Sequence, residues 1–158
     1  MLILSTFNSD SLQSPLQTLF EKFTSESITI KYSNKNLMGD LLSLNSNLEK
    51  SYAILLRLFD FIEAESFIDE TKLTEHLDII LAQITKLKHE KGSPFIVFLC
   101  PSQPNSQLES IEKLFLEKLN KNKIHTLTIA DVEEKYGIIK FDNPTGDDTH
   151  TPYNPKFL

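Results

Sequence analysis

The sequence predicts a three-layer, doubly wound α/β domain on a parallel sheet, and three observations lead there. Apolar segments of strand length alternate with amphipathic helical patterns along the whole chain. Three of those segments are nearly continuous in apolar residues, as strands buried on both faces are, while the other two alternate. The length, 158 residues, suits one domain that buries roughly 68–70% of its unfolded surface without metals or disulfides.

The elements follow in order. Leu2–Ser5 is the first strand. The next connection puts Leu12, Leu16, Leu19, Phe20 and Phe23 on one helical face, and Ser14-Pro15-Leu16-Gln17 reads as its start, a capping box with a first-turn proline. Ser27–Tyr32 alternates and reads as an edge strand. A weaker helix, about residues 35 to 46, has a partial apolar face of Leu37, Leu41, Leu42 and Leu44. Tyr52–Phe59 is the third strand. Leu73, Leu77, Ile80, Ile84 and Leu87 then recur at alternating steps of four and three, a long amphipathic helix stopped at Lys91-Gly92. Pro94–Cys100 is the fourth strand. Ser106-Gln107-Leu108-Glu109 opens a helix that carries Leu108, Ile111, Phe115 and Leu119 inward. The alternating segment Ile124–Ile129 and a short helix from about Ala130 to Tyr136 complete the pattern.

Parallel strands joined by helices need right-handed crossovers. With the alternating second and fifth strands at the edges, 2-1-3-4-5 is the simplest order. In that order the ligand crevice opens beyond the carboxyl ends of the first and third strands, where the winding reverses. The residues there are Ser5-Thr6-Phe7-Asn8 and Arg57-Leu58-Phe59-Asp60. Thr6, Asn8, Arg57 and Asp60 are the candidate binding residues.

Composition narrows the functions. A formal charge of -6, with no basic cluster beyond Lys86–Lys91, argues against nucleic acid. The apolar runs fall far short of the ~20 residues that span a bilayer, and Met1-Leu2-Ile3-Leu4 lacks a basic flank, so neither membrane insertion nor export is expected. Cys100 is the only cysteine, which points to a reducing, cytoplasmic setting, and its place before Pro101 favours an inert thiol. Glycines at 39, 92, 137 and 146 build no phosphate-cradling loop, and the four histidines show no ligand spacing, so no cofactor or metal is expected. His76 and His89 are expected to be solvated.

Two constellations remain. Arg57 ends the apolar run Ala53-Ile54-Leu55-Leu56, and a buried guanidinium requires a partner such as Asp60, Asp142, Asp147 or Asp148. It is either a structural tie or an anion clamp. The polar, turn-rich tail contains Asp147-x-x-His150. An aspartate that orients a histidine, with Ser5 at the end of the first strand, is the arrangement that activates a hydroxyl nucleophile.

Several segments together resemble a known family. Ser5-Thr6-Phe7, Leu37-Met38-Gly39-Asp40-Leu41-Leu42, Leu56-Arg57-Leu58-Phe59-Asp60-Phe61, Phe95–Pro101, and Gly146-Asp147-Asp148 with His150-Thr151-Pro152-Tyr153-Asn154-Pro155 resemble the SGNH-like amino-terminal domain of FkbH-type proteins. Related domains occur in nonribosomal peptide and polyketide synthetases. The resemblance spans almost the whole chain and implies a flavodoxin-like, SGNH-hydrolase-like fold. It also implies residence in a biosynthetic assembly line, with a carrier protein, neighbouring synthetase domains or an acyl or peptidyl intermediate as partners.

The departures from that family bear on catalysis. A working SGNH hydrolase has Gly-Asp-Ser at its first block, but Ser5 lies between Leu4 and Thr6. Its Gly-x-Asn-Asp segment, whose asparagine donates to the oxyanion, is replaced by Arg57-Leu58-Phe59-Asp60. Loss of that donor alone costs roughly 10²–10³ in rate. The leading expectation is therefore a non-catalytic accessory domain. The alternative is an esterase, thioesterase or acyltransferase with Ser5 as nucleophile, His150 as base and Asp147 as its orienter; a free-standing small-ligand binding protein using the crevice around Arg57 is a third, less favoured reading. The phosphatase-like D-x-D-x-[TV] motif is absent, and residues 1–158 are expected to be one domain at the amino-terminal end of a longer protein.

Overall fold

The computed structural model describes residues 1–22, 27–33, 36–44, 51–62, 69–100 and 106–136. The chain runs β1 (Leu2–Ser5), α1 (Asp10–Glu21), β2 (Thr29–Tyr32), α2 (Leu37–Ser43), β3 (Tyr52–Leu56), a 3₁₀ turn (Leu58–Phe61), α3 (Glu70–Lys91), β4 (Phe95–Leu99), α4 (Ser106–Lys121), β5 (His125–Leu127) and α5 (Ile129–Tyr136). All four strand pairings are parallel, and the order is β2-β1-β3-β4-β5. The doubly wound fold expected from the pattern is therefore present.

Handedness distributes the helices. From β2 onward the chain steps in one direction across the sheet, so right-handed crossovers put α2, α3 and α4 on one face; the opposite step from β1 to β2 puts α1 on the other. Side chains alternate along each strand. Leu2, Leu4, Tyr52, Ile54, Leu56, Phe95, Val97 and Leu99 accordingly meet the apolar faces of α2, α3 and α4 in one large core cluster. Tyr52 and Phe95 are register partners whose rings stack at 4.8 Å. Leu73, Leu77, Ile80, Ile84 and Leu87, the periodic set of α3, are all buried there. Each such side chain stabilises the fold by about 1.5–3 kcal/mol.

The second face is thinner. Its cluster holds only Ile3, Ile28 and Ala53 as buried members, with Leu16 and Phe20 of α1 partly buried against them. No residue of α1 is fully buried. Polar chemistry holds this helix instead. Gln17 Oε1 accepts the Ile28 N–H at 2.7 Å, Gln13 Oε1 accepts the Ile30 N–H at 2.8 Å, and Gln13 Nε2 donates to the Ile28 carbonyl at 2.9 Å. Two glutamines one turn apart thus occupy the outer edge of β2, where free backbone groups would otherwise invite another strand.

Several sequence expectations need correction. The first helix begins at Asp10, not at Ser14: Asn8 Oδ1 accepts the Asp10 N–H at 3.0 Å and turns the chain directly out of β1. Pro15 therefore lies inside the helix on its exposed side, where water can serve the carbonyl its missing N–H leaves. β3 stops at Leu56, because the backbone beyond Arg57 turns into a 3₁₀ helix. Ile28 immediately precedes edge strand β2, and Leu127 lies on edge strand β5. β4 is interior in the sheet yet buried on one face only; Ile96, on the other, is 40% exposed. His76 is half-buried rather than solvated, its ring 5.1 Å from that of Phe61, because it flanks the apolar stripe of α3. His89 is exposed.

Helix ends follow local chemistry. Asp69 caps α3 by accepting the Lys72 N–H, and Gly92 ends it in the left-handed conformation at φ 64°. Thr128 and Asp131 form a reciprocal capping box on α5: Asp131 Oδ2 accepts from the Thr128 N–H and hydroxyl, while the Asp131 N–H approaches Thr128 Oγ1 at 3.3 Å. Those bonds lower the Asp131 carboxyl below its ordinary value. No helix among the described residues is long and apolar enough to cross a membrane.

Candidate functional site at the switch point

The winding reverses between β1 and β3, and the carboxyl ends of these strands carry most of the residues singled out above. Parallel pairing of β1 with β3 brings Thr6 beside Arg57, although 51 positions separate them. The Arg57 main-chain N–H donates to Thr6 Oγ1 at 3.0 Å, and the Thr6 hydroxyl donates onward to Asp60 Oδ2 at 2.7 Å. Asp60 Oδ1 accepts from Arg57 Nε at 2.8 Å and from Nη2 at 2.5 Å. The 3₁₀ turn makes this possible by returning Asp60 three residues later to the same guanidinium. Both side chains are about nine-tenths buried, so the pair is shielded from water.

Phe7 completes the cluster. Its ring is buried, and the guanidinium carbon lies 5.4 Å from the ring centroid, within cation–π range. The Arg57 charge is thus met by a carboxylate and an aromatic face that both come from this chain. An outside anion has to displace a carboxylate tethered three residues away, at high effective concentration. Of the two roles weighed for Arg57, the geometry builds the structural tie, and Asp60 is its acidic partner.

Ser5 is placed differently from a nucleophile. Its residue is 0% exposed, and its hydroxyl donates to the Phe7 carbonyl at 2.7 Å, with the Phe7 N–H approaching the same oxygen at 3.4 Å. Alternation along β1 puts it on the Ile3 face, beneath α1, whereas Thr6 turns toward Asp60. Asn8 is exposed and serves the start of α1. Asp147 and His150, like Asp142 and Asp148, lie outside the described residues. Among the named candidates, the structure therefore joins Thr6, Arg57 and Asp60, sets Ser5 behind them, and leaves Asn8 on the rim.

Phe7 is among the crevice residues that the sequence picks out, without a role; a cation one strand away gives it one. Two further residues at this edge carry no signal in the sequence. Ser9, just before α1, and Ser33, just after β2, are both buried with hydroxyls that have no hydrogen-bond partner among the described residues. An unmet buried hydroxyl costs about 1–3 kcal/mol. Nothing in the local sequence separates these serines from ordinary turn formers. Cys100, after β4, is buried.

Comparison with known proteins gives no match: no family model, no curated protein and no solved structure matches this chain.

Proposed function

We propose that this domain works by contact and not by catalysis, as an SGNH-like accessory domain of a nonribosomal peptide or polyketide biosynthetic multienzyme. Its partners in this reading are a carrier protein, a neighbouring synthetase domain or a carrier-bound acyl or peptidyl intermediate. The biosynthetic setting rests on the family resemblance of the sequence. The non-catalytic role rests on one observation, the fully buried Ser5 hydroxyl that donates its proton to the Phe7 carbonyl. A serine nucleophile has to be reachable by substrate and share its proton with a base. The Thr6–Asp60–Arg57 cluster supports the same reading, because it fills the switch point with this chain's own side chains.

The test is turnover of short-chain esters and acyl-pantetheine thioesters by the purified chain. No rate above the buffer background is expected, and Ser5→Ala should change nothing. Turnover by the parent that both Ser5→Ala and His150→Ala abolish, with the fold intact by circular dichroism, would overturn the proposal in favour of an acyl-transfer enzyme.

A further inference from the structure

The tie to Asp60 does not use up Arg57. A guanidinium presents N–H donors along more than one edge of its plane. Nε and Nη2 both donate to Asp60 Oδ1, and the Thr6 hydroxyl holds the other carboxylate oxygen. The second N–H of Nη2 and both of Nη1 meet no acceptor among the described residues. They belong to a side chain that is only 10% exposed. Donors so deep in a fold are ordinarily matched, because a donor taken out of water without a partner costs free energy. The unmatched edge of Arg57 is therefore a place for an acceptor that arrives from outside.

The surroundings select that acceptor. Asp60 neutralises the guanidinium, and the Phe7 ring lies 5.4 Å from its central carbon, so an incoming anion meets a carboxylate already in place. A neutral oxygen meets no such opposition and needs only the N–H groups that Asp60 leaves. The cluster is also fixed beforehand, by the bonds from the Arg57 main chain to Thr6 and from Thr6 to Asp60, so a ligand has little ordering to cause. A hydrogen bond from a charged donor in such poorly hydrated surroundings is stronger than in water. Phe59, one position before Asp60 in the same 3₁₀ turn, is 41% exposed and offers apolar surface. The cluster lies beyond the carboxyl ends of β1 and β3, where the winding reverses and open α/β sheets take their ligands.

We infer that the free edge of Arg57 binds a neutral acyl carbonyl, that of a thioester or an amide, with the acyl chain against Phe59. The inference rests on the reading that the domain works by contact, and it names the chemical group that the contact recognises. Arg57 donates to the carbonyl oxygen while Asp60 keeps its place. Because the Ser5 hydroxyl is buried and committed to the Phe7 carbonyl, the acyl group is held and not transferred.

The test uses the full chain, isotopically labelled in nitrogen, and follows the Arg57 side-chain N–H signals by NMR during titration. The probe is S-hexanoyl-N-acetylcysteamine. One control is S-hexyl-N-acetylcysteamine, which has a methylene for the thioester carbonyl and is otherwise the same; the other is hexanoate. The thioester is expected to bind and to shift the Arg57 signals, and both controls to bind about tenfold more weakly or worse. Arg57→Lys, checked for folding by circular dichroism, should abolish the preference for the carbonyl, because an ammonium bonded to Asp60 presents no second edge. Phe59→Ala should weaken thioester and thioether alike and keep the preference. The inference fails if the thioester does not bind, if either control binds as tightly, if the Arg57 signals stay put, or if Phe59→Ala binds like the parent. It also fails if Asp142→Asn, Asp147→Asn and Asp148→Asn together move those signals in the ligand-free chain, since the tail then already supplies the acceptor. Should Arg57→Lys unfold, the parent titration and Phe59→Ala decide alone. Hydrolysis of the probe is followed in the same samples: turnover overturns the non-catalytic reading, whereas absence of binding without turnover overturns only this site.

Discussion

The same five strands present two unequal faces. Beneath α2, α3 and α4 the sheet is sealed by interlocking aliphatic and aromatic side chains, from Leu37 on one flank to Phe115 on the other. On the opposite face α1 is held largely by Gln13 and Gln17 on the edge of β2, and toward β4 and β5 Ile96 and Leu127 are exposed. Among the described residues the buried apolar contacts are therefore concentrated on one face. The Arg57–Asp60 cluster sits where the two faces meet, at the carboxyl edge, and ties the loops after β1 and β3 together.

Removing one side of that tie should have the largest effect. Arg57→Ala leaves the Asp60 carboxylate buried without its partner, and such a break commonly costs about 3–5 kcal/mol. A urea midpoint equal to the parent's would show that the cluster does not hold the two loops. The faces themselves are compared by Ile80→Ala and Ile96→Ala. Ile80, on the inner face of α3, is fully buried, so its truncation should cost about 2–5 kcal/mol, while Ile96 should cost about 1 kcal/mol or less. Equal losses in denaturant titration would break the asymmetry.

Smaller effects sharpen it. Gln13→Ala with Gln17→Ala removes the side chains that occupy the β2 edge, at about 1 kcal/mol per lost bond, and should raise self-association in analytical ultracentrifugation by exposing that edge. A less stable variant that stays monomeric would assign the glutamines to helix anchoring alone. On the sealed face, burial and then the neighbouring Glu109 push the Glu112 carboxyl above its ordinary value of 4.5. A raised folded value contributes stability that is present below 4.5 and is lost as the pH rises through the folded value. Glu112→Gln should therefore raise the urea midpoint at neutral pH and lose that advantage in acid. The reverse pH dependence would place Glu112 in a favourable charge environment.

Most of the fold was legible because it rests on local periodicity. The α3 stripe from Leu73 to Leu87 and its stop at Gly92 are properties of one continuous stretch of chain, and they sit where the pattern placed them. Helix starts were less legible. Ser14-Pro15-Leu16-Gln17 has the form of a capping box, but Asn8 catches the chain earlier and Gln17 is drawn to the β2 backbone instead. At the candidate site, Arg57 stood out because a charge at the end of an apolar strand must find a partner. Asp60 is one of four partners the sequence offers; the 3₁₀ turn that returns it to the guanidinium lies within the segment read as strand to Phe59.

By itself, then, the sequence determined the element order, the parallel sheet with its edges at β2 and β5, and the long buried face of α3, since each depends on spacing along the chain. Tertiary structure alone decided that Ser5 gives its proton to Phe7 while Thr6 beside it serves Asp60, and that Ile96 on an interior strand is left exposed. Those outcomes depend on residues brought together across the sheet, such as Thr6 and Asp60 at a separation of 54 positions, and on which face a neighbouring helix reaches. Alternation assigns a side chain to a face, but only the packed layers decide whether that face is covered.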